Sequence, residues 1–506
     1  SVNGVLVKRK KENINKEVLF GDIEIELSNL EIISESKTLP FQIEDDIDTD
    51  EQIRLKHRYL DIRRSEMNKN IIARSKTFKS IRESMNKLGI NELDTPTLIK
   101  STPEGAKDFI VPSRKSPGNF YALPQSPQMY KQLFMLSGLK NYYQIAKCYR
   151  DEDSRKDRQP EFTQLDIEIS NGNPEIVQKI IESTMKHVLK NVYSIQVKTP
   201  FKKMTYDEAM NMYGTDKPDL RIKETISDFT DIFRDTEISF IKETIKNKGE
   251  VRGFVINKIL SRSEIDTLDE NIKNEGSPGL GWFKIENKKV TGPLAKILNE
   301  KENKELIKYD NSTVLFQSGN KHETSQYLDT LRRQIYTIQN ENTYEFLWIY
   351  DFPYFEIEND QLQPSHHPFT SPKNTAEFLS NPEDAKALHY DLVLNGIELG
   401  SGSQRINDPK LQKDVLSKWG LSESEINERF GWFIEALSYG SPQHAGFAVG
   451  IDRFIAELMN AESIRDVIPF PKTQSGLDPL TNAPSSLSSL ELEEYNISIE
   501  SLDNEQ

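Results

Sequence analysis

Polar and apolar residues alternate with a period of two near the start of the chain. In "GDIEIELSNLEII", Ile23, Ile25 and Leu27 are separated by acidic residues, as in a half-buried β-strand. The earlier segment "GVLVKRK" is also typical of a strand, so residues 4–40 are predicted to be β. Because two or three strands cannot close a core alone, we expect them to end a domain whose first part lies outside this sequence.

A helical period replaces this alternation between about residues 66 and 88. The apolar side chains that share one face there are Phe78, Ile81, Met85 and Leu88. Steps of three and four residues predict an amphipathic helix, and Gly89 is the usual kind of terminator. The following "INELDTPTLI" is predicted to be extended, with Pro96 at a sheet edge or an interface.

Several later stretches also have patterns that predict their structure. In "PQSPQMYKQLFMLSG" we expect a helix with Ser126 as N-cap and Pro127 as its first residue. "HYDLVLNGIELGSGSQRI" alternates like a strand, and "HAGFAVGIDRFIAELM" predicts a strand or turn running into a helix. The short mixed segments of residues 223–325 favour an inserted α+β domain. The tail after residue 480, rich in Ser, Leu and Glu, predicts a loosely packed extension.

Composition narrows the class of protein. A chain of 506 residues predicts two to four domains, and 36% hydrophobic with 29% charged residues indicates a soluble globular protein without a membrane span. Cys148 is the single cysteine, which excludes an internal disulfide and favours a reducing compartment. The net charge of -15 argues against indiscriminate nucleic-acid binding. Residues 51–80 nevertheless carry nine Lys/Arg against three Asp/Glu, enough for a local basic face.

The densest charge cluster is "CYRDEDSRKDRQPEFTQLDIEI", residues 148–169. A solvated surface hairpin would account for charges that neutralise one another. Read as strand, loop and strand, however, the segment places Arg150 and Glu152 at one strand end, and Phe162, Gln164 and Asp166 on one face of the next strand. A guanidinium that takes phosphate oxygens beside a ring that stacks on a base suits a nucleoside triphosphate.

Three other motifs are candidates for chemistry. Asp391 and Glu398 lie seven residues apart, which on one strand places them on opposite faces unless a bulge intervenes; they are plausible magnesium ligands. "GFAVGIDRF" is either a tight turn before a helix or a glycine-lined surface on which Arg453 covers a purine. "HHPFT" is either a packed turn or a functional loop.

Together these motifs resemble the bacterial-type aspartyl-tRNA synthetases, which are class II aminoacyl-tRNA synthetases. Motif 1 of that class corresponds to the helix and strand ending at Pro96, motif 2 to "CYRDEDSRKDRQPEFTQLD" and motif 3 to "GFAVGIDRF". "STPEGAKDF", "LPQSPQMYKQL", "HHPFTSPK" and "GIELGSGSQRI" resemble the aspartate enzymes in particular. "MTYDEAMNMYGTDKPDLR" and "FPKTQSGLDPLTNAPS" indicate the bacterial type.

The resemblance implies an α+β fold: a mostly antiparallel sheet of six to seven strands flanked by helices, in a homodimer built around motif 1. It also implies an N-terminal OB-fold that reads the anticodon, and an insertion called the GAD domain. The expected division of the chain is residues 1–40 for the end of the OB-fold and hinge, 41–222 and 326–480 for the catalytic domain, 223–325 for the GAD domain and 481–506 for the extension.

The resemblance further implies site residues. Arg150, Glu398 and Arg453 are the expected catalytic residues, and Asp391 with Glu398 would hold Mg²⁺. The expected ATP-binding residues are Arg150, Asp151, Glu152, Gln159, Phe162, Gln164, Glu398, Gly450, Ile451, Asp452 and Arg453. The expected aspartate-binding residues are Glu104, Gln128, Lys131, Arg150, Asp166, His366 and Arg405, with His367 beside them. The chain departs from the family at Ser401, where three consecutive glycines are usual, and we expect an effect on affinity.

The function implied is ligation of L-aspartate to tRNA(Asp) with ATP, through an aspartyl-adenylate. The alternatives are an asparaginyl-tRNA synthetase or a synthetase-like asparagine synthetase, and a catalytically dead paralogue that only binds RNA or a partner. The paired cations Lys131 and Arg405 argue against the first two, and intact Arg150, Glu398 and Arg453 argue against the last. The expected location is the bacterial cytoplasm, or alternatively an organelle matrix.

Overall fold

The N-terminal segment forms a small antiparallel hairpin. The computed structural model describes residues 1–16, 19–102, 105–153, 155–336, 338, 342–358 and 361–499. Strands β1 (Val2–Lys8) and β2 (Ile23–Leu30) pair with each other, which confirms the predicted strand at Ile23. Ile25 and Leu27 are about half exposed, so this hairpin has little core of its own. Its assignment to an OB-fold stays a prediction.

Three helices follow the hairpin and confirm the predicted helical period. They are α1 (Glu51–Lys56), α2 (Arg58–Asp61) and α3 (Ser65–Lys87). On α3, Ile81 and Met85 are fully buried, while Leu88 caps its C-terminus. Gly89 has a φ of +70°, a left-handed conformation that glycine adopts without a steric cost, and it ends the helix as expected.

The prediction of a basic face over residues 51–80 is wrong for three of the nine cations, because their side chains are buried. Arg58, Arg64 and Arg74 are buried, with relative exposures of 2%, 5% and 7%. Arg58 and Arg64 both bind the buried carboxylate of Asp61, and Arg74 pairs with Asp452. A buried cation requires a carboxylate partner, so these three arginines stabilise the fold and cannot contact phosphates of a nucleic acid.

The next elements include the first three strands of the central sheet, two of which carry the charge cluster. The elements here are β3 (Ile110–Pro112), β4 (Phe120–Ala122), α4 (Gln128–Leu136), β5 (Asn141–Tyr149), β6 (Glu161–Ser170), α5 (Pro174–Tyr193), β7 (Lys202–Thr205) and α6 (Tyr206–Tyr213). Helix α4 begins one residue later than predicted: Pro127 is its N-cap, and the amide of Gln128 donates to Ser126 Oγ at 3.3 Å. "INELDTPTLI" makes only isolated bridges, such as Glu92 with Tyr143.

A separate unit of strands and helices follows, as the short mixed segments of this part of the sequence predict. Its elements are β8 (Ser227–Asp228), α7 (Ser239–Lys246), β9 (Glu250–Ile256), α8 (Arg262–Asn274), β10 (Gly281–Glu286), β11 (Lys289–Thr291), α9 (Glu300–Leu306), β12 (Ser312–Gly319) and α10 (Lys321–Ile335). The five strands lie in the order β11-β10-β12-β9-β8. Phe233, Phe283 and Phe316 centre one apolar cluster, and Phe254 and Leu328 belong to a second. The expected domain bounds, including 223–325, stay predictions.

The remaining elements include the other four strands of the seven-stranded sheet. They are β13 (Phe346–Tyr350), β14 (Phe355–Glu358), β15 (Gln361–Pro364), α11 (Thr375–Ser380), β16 (His389–Leu394), β17 (Ile397–Gln404), α12 (Pro409–Lys418), α13 (Glu423–Ser438), β18 (His444–Gly450), α14 (Ile451–Leu458) and α15 (Ser489–Glu494). The order is β5-β6-β18-β17-β16-β13-β7, antiparallel except for β13 with β7. The mostly antiparallel sheet is therefore confirmed.

The prediction that "HYDLVLNGIELGSGSQRI" is one strand is wrong. It forms the hairpin β16–β17, in which Leu394 pairs with Ile397 across a two-residue turn. Asn395 and Gly396 make that turn with φ values of +52° and +85°. An Asn-Gly pair is the preferred sequence for such a turn. This pair indicates a hairpin, whereas the alternation of apolar residues around it indicates only strand.

One face of the central sheet is apolar and the other is polar. Along β6, Leu165, Ile167 and Ile169 pack into the main core with α3 and α5. The residues between them therefore point to the opposite face, since successive side chains of a strand alternate. That face carries the cleft described below. Among the helices that the structure describes, none is both long and apolar enough to cross a membrane.

Candidate active site

A cleft of about 540 Å³ opens on the polar face of the central sheet. The sequence-predicted residues that line it are Gln128, Lys131, Arg150, Glu152, Gln159, Phe162, Gln164, Asp166, His366, Asp391, Glu398, Arg405, Gly450, Asp452 and Arg453. Ile451 is instead buried in the main core, and Asp151 makes a backbone bridge with Lys107 beside the cleft. Glu104 lies outside the described residues.

The charge cluster of residues 148–169 forms one end of this cleft. It folds as the antiparallel pair β5–β6, which confirms the strand, loop and strand interpretation. The guanidinium of Arg150 lies over the ring of Phe162, 5.1 Å from its centroid. Arg158 and Glu152 form an ion pair at 3.3 Å in the loop. An arginine, an aromatic ring and an acid are thus together at the mouth of the cleft.

The floor of the cleft contains two buried cations and two buried carboxylates. Lys131 Nζ lies 2.9 Å from Asp166 Oδ1 and 3.6 Å from Glu168 Oε2. Arg405 binds Glu168 with two parallel bonds, Nε to Oε1 at 2.9 Å and Nη2 to Oε2 at 3.1 Å. Each of the four side chains is less than 4% exposed. This bidentate geometry fixes the plane of the Arg405 guanidinium.

Glu168 is a residue of this site that the sequence interpretation missed. Its signal was the alternation of β6, in which Gln164, Asp166 and Glu168 occupy every second position. Burial alone would raise the pKa of Glu168, but the charges of Arg405 and Lys131 hold that pKa below its ordinary value. A Cβ atom on Gly446 would lie 1.9 Å from the Glu168 carboxylate, so glycine is required there to admit it.

Three histidines lie along the next wall. His367 Nε2 is 2.7 Å from Arg405 Nη1 and accepts its hydrogen bond. His366 Nε2 is 3.1 Å from the carbonyl oxygen of Pro353, to which it donates, and its ring stacks on His389 with 3.7 Å between centroids. Burial lowers the pKa of all three, so the rings are neutral at physiological pH. His389 had not been predicted as part of the site.

Asp391 and Glu398 lie on adjacent strands, not on one strand. Asp391 on β16 pairs with Ser401 on β17, and Glu398 pairs with Val393. A β-bulge at Leu399 adds one residue to β17. Because of this extra residue, Glu398 and Ser401 both face the cleft. Ser401 Oγ donates to Glu398 Oε1 at 3.1 Å.

These two carboxylates suit a divalent cation. Burial raises the pKa of Asp391 to about 7, and burial with the nearby charge of Asp391 raises the pKa of Glu398. Two buried acids that repel each other are stabilised by a cation held between them. Within the described ranges no group of three or more His, Cys, Asp or Glu side chains could hold a metal ion. The pair would by itself supply two oxygen ligands to a divalent cation.

Ser401 interrupts a glycine run without crowding the sheet. A Cβ atom on Gly400 would lie 2.0 Å from the carbonyl oxygen of Ala448, and one on Gly402 would lie 2.3 Å from that of Gly446. These two glycines are therefore required by the close approach of β18. The side chain of Ser401 faces the cleft instead, where its hydroxyl reaches Glu398.

Helix α14 supplies the wall opposite Phe162. Arg453 Nη1 donates to the backbone oxygen of Glu398 at 2.7 Å, and Nη2 lies 3.2 Å from Asp157. Asp452, although it lines the cleft, is bound by other protein groups: one oxygen pairs with Arg74 and the other accepts the amide of Thr163 at 2.7 Å. Asp452 therefore cross-links α3, β6 and α14.

A family model described as tRNA synthetases class II (D, K and N) matches residues 50–474. The chain belongs to this family. The class II synthetase is 43% identical to an aspartate–tRNA(Asp/Asn) ligase of Hydrogenobaculum, an alignment that covers 98% of the chain and 88% of the relative. It is 42% identical to an aspartate–tRNA ligase of Shouchella clausii, over 99% of the chain and 87% of the relative.

Solved structures of class II synthetases share the fold of this chain. An asparaginyl-tRNA synthetase of Pyrococcus horikoshii, complexed with asparaginyl-adenylate, aligns with a TM-score of 0.53 and 16% identity, over 93% of this chain and 82% of that one. An asparaginyl-tRNA synthetase of Entamoeba histolytica aligns with a TM-score of 0.56 and 16% identity, over 94% and 83%. At this identity the likeness concerns the fold alone.

Proposed function

We propose that this synthetase ligates L-aspartate to tRNA(Asp) in two steps, through an aspartyl-adenylate. The observation that carries this proposal is the pair of buried cations, Lys131 and Arg405, on the floor of the cleft. A second anion can bind beside them because each cation has further hydrogen-bond donors. The relatives at 42–45% identity, named as aspartate–tRNA ligases, support the same amino acid.

Aspartate fits this floor better than asparagine. Its side-chain carboxylate would accept hydrogen bonds from both Lys131 and Arg405, whereas the amide of asparagine has one acceptor oxygen and would turn its N–H donors toward one of the two cations. The buried partners Asp166 and Glu168 hold the two cations in place. We assign Gln128, His366 and Glu104 to the remainder of the amino-acid site, with His367 acting through its contact with Arg405.

ATP would occupy the other end of the cleft. Arg150 would bind the α-phosphate, and Phe162 would stack on adenine from the side opposite Arg453. The other residues that we assign to ATP are Asp151, Glu152, Gln159, Gln164, Glu398, Gly450 and Asp452, and we withdraw Ile451 because its side chain is buried in the main core. Asp391 and Glu398 would hold Mg²⁺, which neutralises charge on the phosphates and stabilises the departing pyrophosphate.

The chemistry needs positioning more than covalent participation by the protein. The α-carboxylate of aspartate attacks the α-phosphorus in line, the bond to the β-phosphate oxygen breaks, and pyrophosphate leaves. Arg150 would stabilise the charge that develops on the α-phosphate, because a guanidinium offers paired donors to phosphate oxygens. The 3′-hydroxyl of the terminal tRNA adenosine then takes the aspartyl group, and AMP leaves.

Aspartate-dependent exchange of pyrophosphate into ATP tests the first step directly. We expect exchange with aspartate and little with asparagine, because a site built for one hydrogen-bonding pattern rejects its mismatch strongly. Equal exchange with both amino acids, or exchange with asparagine alone, would contradict the proposed pocket. Transfer of the aspartyl group to purified tRNA(Asp) tests the second step.

Charging of tRNA(Asn) is a second activity that one observation favours. Several relatives, including the Hydrogenobaculum and Thermoanaerobacter proteins, are named as ligases of both tRNA(Asp) and tRNA(Asn). The name of the Shouchella protein, aspartate–tRNA ligase, does not specify the tRNA. Aminoacylation of each tRNA with radiolabelled aspartate, at equal tRNA concentration, distinguishes the two possibilities.

The proposal extends to assembly and location. We expect a homodimer whose interface includes α3 and the segment around Pro96, and sedimentation equilibrium would measure its mass. The bacterial sources of the relatives support the bacterial cytoplasm as the location, with an organelle matrix as the alternative.

A further inference from the structure

His389 has an unusual position between the two halves of the cleft. It is the first residue of β16 and is 7% exposed. Its Nε2 lies 2.7 Å from Asp391 Oδ1. When Asp391 is ionised, that oxygen can only accept, so Nε2 carries the proton and Nδ1 carries a lone pair. Nδ1 finds no hydrogen-bond partner within the part of the chain that the structure describes.

The ring of His389 makes its second contact with the amino-acid half of the cleft. It stacks on the ring of His366 with 3.7 Å between centroids and 17° between planes. Phe352 packs edge-on against both rings, at 5.0 Å from His389 and 5.5 Å from His366. The two histidines and Phe352 therefore form one packed group, which cannot shift at one ring without displacing the others.

Two aromatic rings that stack with 3.7 Å between centroids attract each other by dispersion. His389 thus stacks on the ring of His366 and contacts the carboxylate of Asp391 through Nε2.

We propose that His389 is a positioning residue that couples aspartate binding to binding of the magnesium nucleotide, an inference that rests on the proposed function. Its ring fixes His366, which we place over the bound aspartate, and its Nε2 orients Asp391, which we place on the metal. A ligand that orders either neighbour orders the other through the same imidazole. Each ligand then raises the affinity for the other by one common factor.

Two variants separate the two contacts of His389. His389→Gln keeps an N–H donor for Asp391 but lacks a ring for His366. His389→Phe keeps a ring of similar size but has no donor for Asp391. Both variants should weaken the coupling, because each breaks one side of the link. His322→Gln on α10 is the matched control, since that histidine is exposed and does not line the cleft.

Titration calorimetry measures the coupling without turnover. Aspartate is titrated into the protein alone and into the protein saturated with Mg²⁺ and an α,β-methylene analogue of ATP, in which the bond that activation breaks cannot be cleaved. We expect the analogue to tighten aspartate binding about tenfold in the unaltered protein and in His322→Gln. In His389→Gln and His389→Phe the factor should fall to about twofold or less. Circular dichroism verifies that each variant is folded before its titration.

The possible outcomes have different meanings. A coupling factor in both folded variants equal to that of the unaltered protein would overturn the role of His389. Binding of both ligands by the unaltered protein without coupling would also overturn it, while leaving the proposed function intact. Failure of the unaltered protein to bind aspartate at all would instead reject the proposed function. If one variant does not fold, the other still decides the question.

Discussion

At the scale of single residues, the cleft is organised by buried charges that need partners. Arg405, Lys131, Asp166 and Glu168 share one network, and none of them contacts solvent appreciably. Removing one member leaves another charge uncompensated in a medium of low dielectric constant. The effects of substitution here should therefore be large, and they should differ from effects at the exposed mouth of the cleft.

Arg405→Leu should cripple activation of aspartate. The substitution removes a donor for the substrate carboxylate and leaves Lys131, at 3.6 Å, as the remaining cation partner of Glu168 among the described residues. Losing one partner of such a pair costs roughly 2–5 kcal/mol. We expect kcat/KM for aspartate in pyrophosphate exchange to fall accordingly, and the preference over asparagine to narrow. Arg405→Lys, which keeps the charge without the bidentate geometry, should be intermediate; normal kinetics in Arg405→Leu would refute this site.

Arg150→Ala should abolish exchange while leaving the protein folded. In the structure the Arg150 side chain packs over one ring, and its proposed partner is a phosphate, so truncation removes a ligand contact at little cost to the core. We expect a loss of at least about a hundredfold in kcat. Arg262→Ala is a close control, because Arg262 lies over Trp282 at a similar 5.2 Å in the other sheet unit. Similar activities for the two variants would disprove the motif 2 assignment.

Glu168→Gln should reveal the linkage between the ion pair and pH. The pKa of Glu168 is lowered in the folded protein, so the carboxylate stabilises the fold above its unfolded-state pKa of 4.5 and loses that effect as pH falls through the folded-state pKa. At pH 7 the variant should be less stable by about 3–5 kcal/mol. Urea unfolding should show the difference narrowing as the pH drops below 4.5. A difference independent of pH would contradict the ionised pair.

At the scale of elements, a buried arginine ties three motifs together. Arg74 on α3 pairs with Asp452 at the start of α14 and donates to Thr163 Oγ1 on β6 at 2.9 Å. These elements carry the residues proposed for motifs 1, 3 and 2. The contact thus links the helix expected at the dimer interface to both walls of the nucleotide end of the cleft.

Arg74→Met should therefore destabilise the protein by about 3–5 kcal/mol, because Asp452 would remain buried without its cation. Exchange activity should fall with it, since Thr163 and Asp452 line the cleft. Lys76→Met on the exposed side of the same helix should change stability by about 0.5 kcal/mol or less. Unfolding in urea measures the free energy of unfolding of both variants. An equal loss of stability in the two would show that the ion pair between Arg74 and Asp452 contributes nothing.

At the scale of the whole molecule, the second sheet unit is fastened to the catalytic sheet away from the cleft. Arg252 on β9 is 3% exposed and donates to Ser325 Oγ at 2.6 Å and to the backbone oxygen of Asn211 on α6. In the described part of the chain, the residues that line the cleft all lie outside 223–335. The second sheet unit therefore packs against the catalytic sheet without lining the cleft.

Arg252→Ala should loosen this attachment and leave aspartate activation close to that of the unaltered protein. We expect unfolding in urea to separate into two transitions, because the two sheets have separate cores. Pyrophosphate exchange before the first transition measures the catalytic sheet alone. A large loss of exchange in the folded variant would show that the second unit contributes to the cleft.

Local sequence patterns were sufficient to predict the elements whose residues are close in the chain. The helical period of Ile81 and Met85, the alternation of β6 and the motifs 2 and 3 all depend on neighbours a few positions apart, so local pattern was sufficient. Two of the differences are also local: the Asn395-Gly396 turn divides a predicted strand into a hairpin, and α4 begins one residue later than predicted.

Which of those residues meet depends on the packing of distant elements. Arg405 and Glu168 are 237 positions apart, and Arg74 and Asp452 are 378 apart, so no periodicity connects them. Sheet order places β18 between β6 and β17, and only this order brings the Glu168 carboxylate to Arg405 across Gly446. The same order stacks His389 on His366 and removes Arg58, Arg64 and Arg74 from the surface. Pattern reveals which face a side chain points to, but pairing across a sheet depends on packing energy summed over the whole chain.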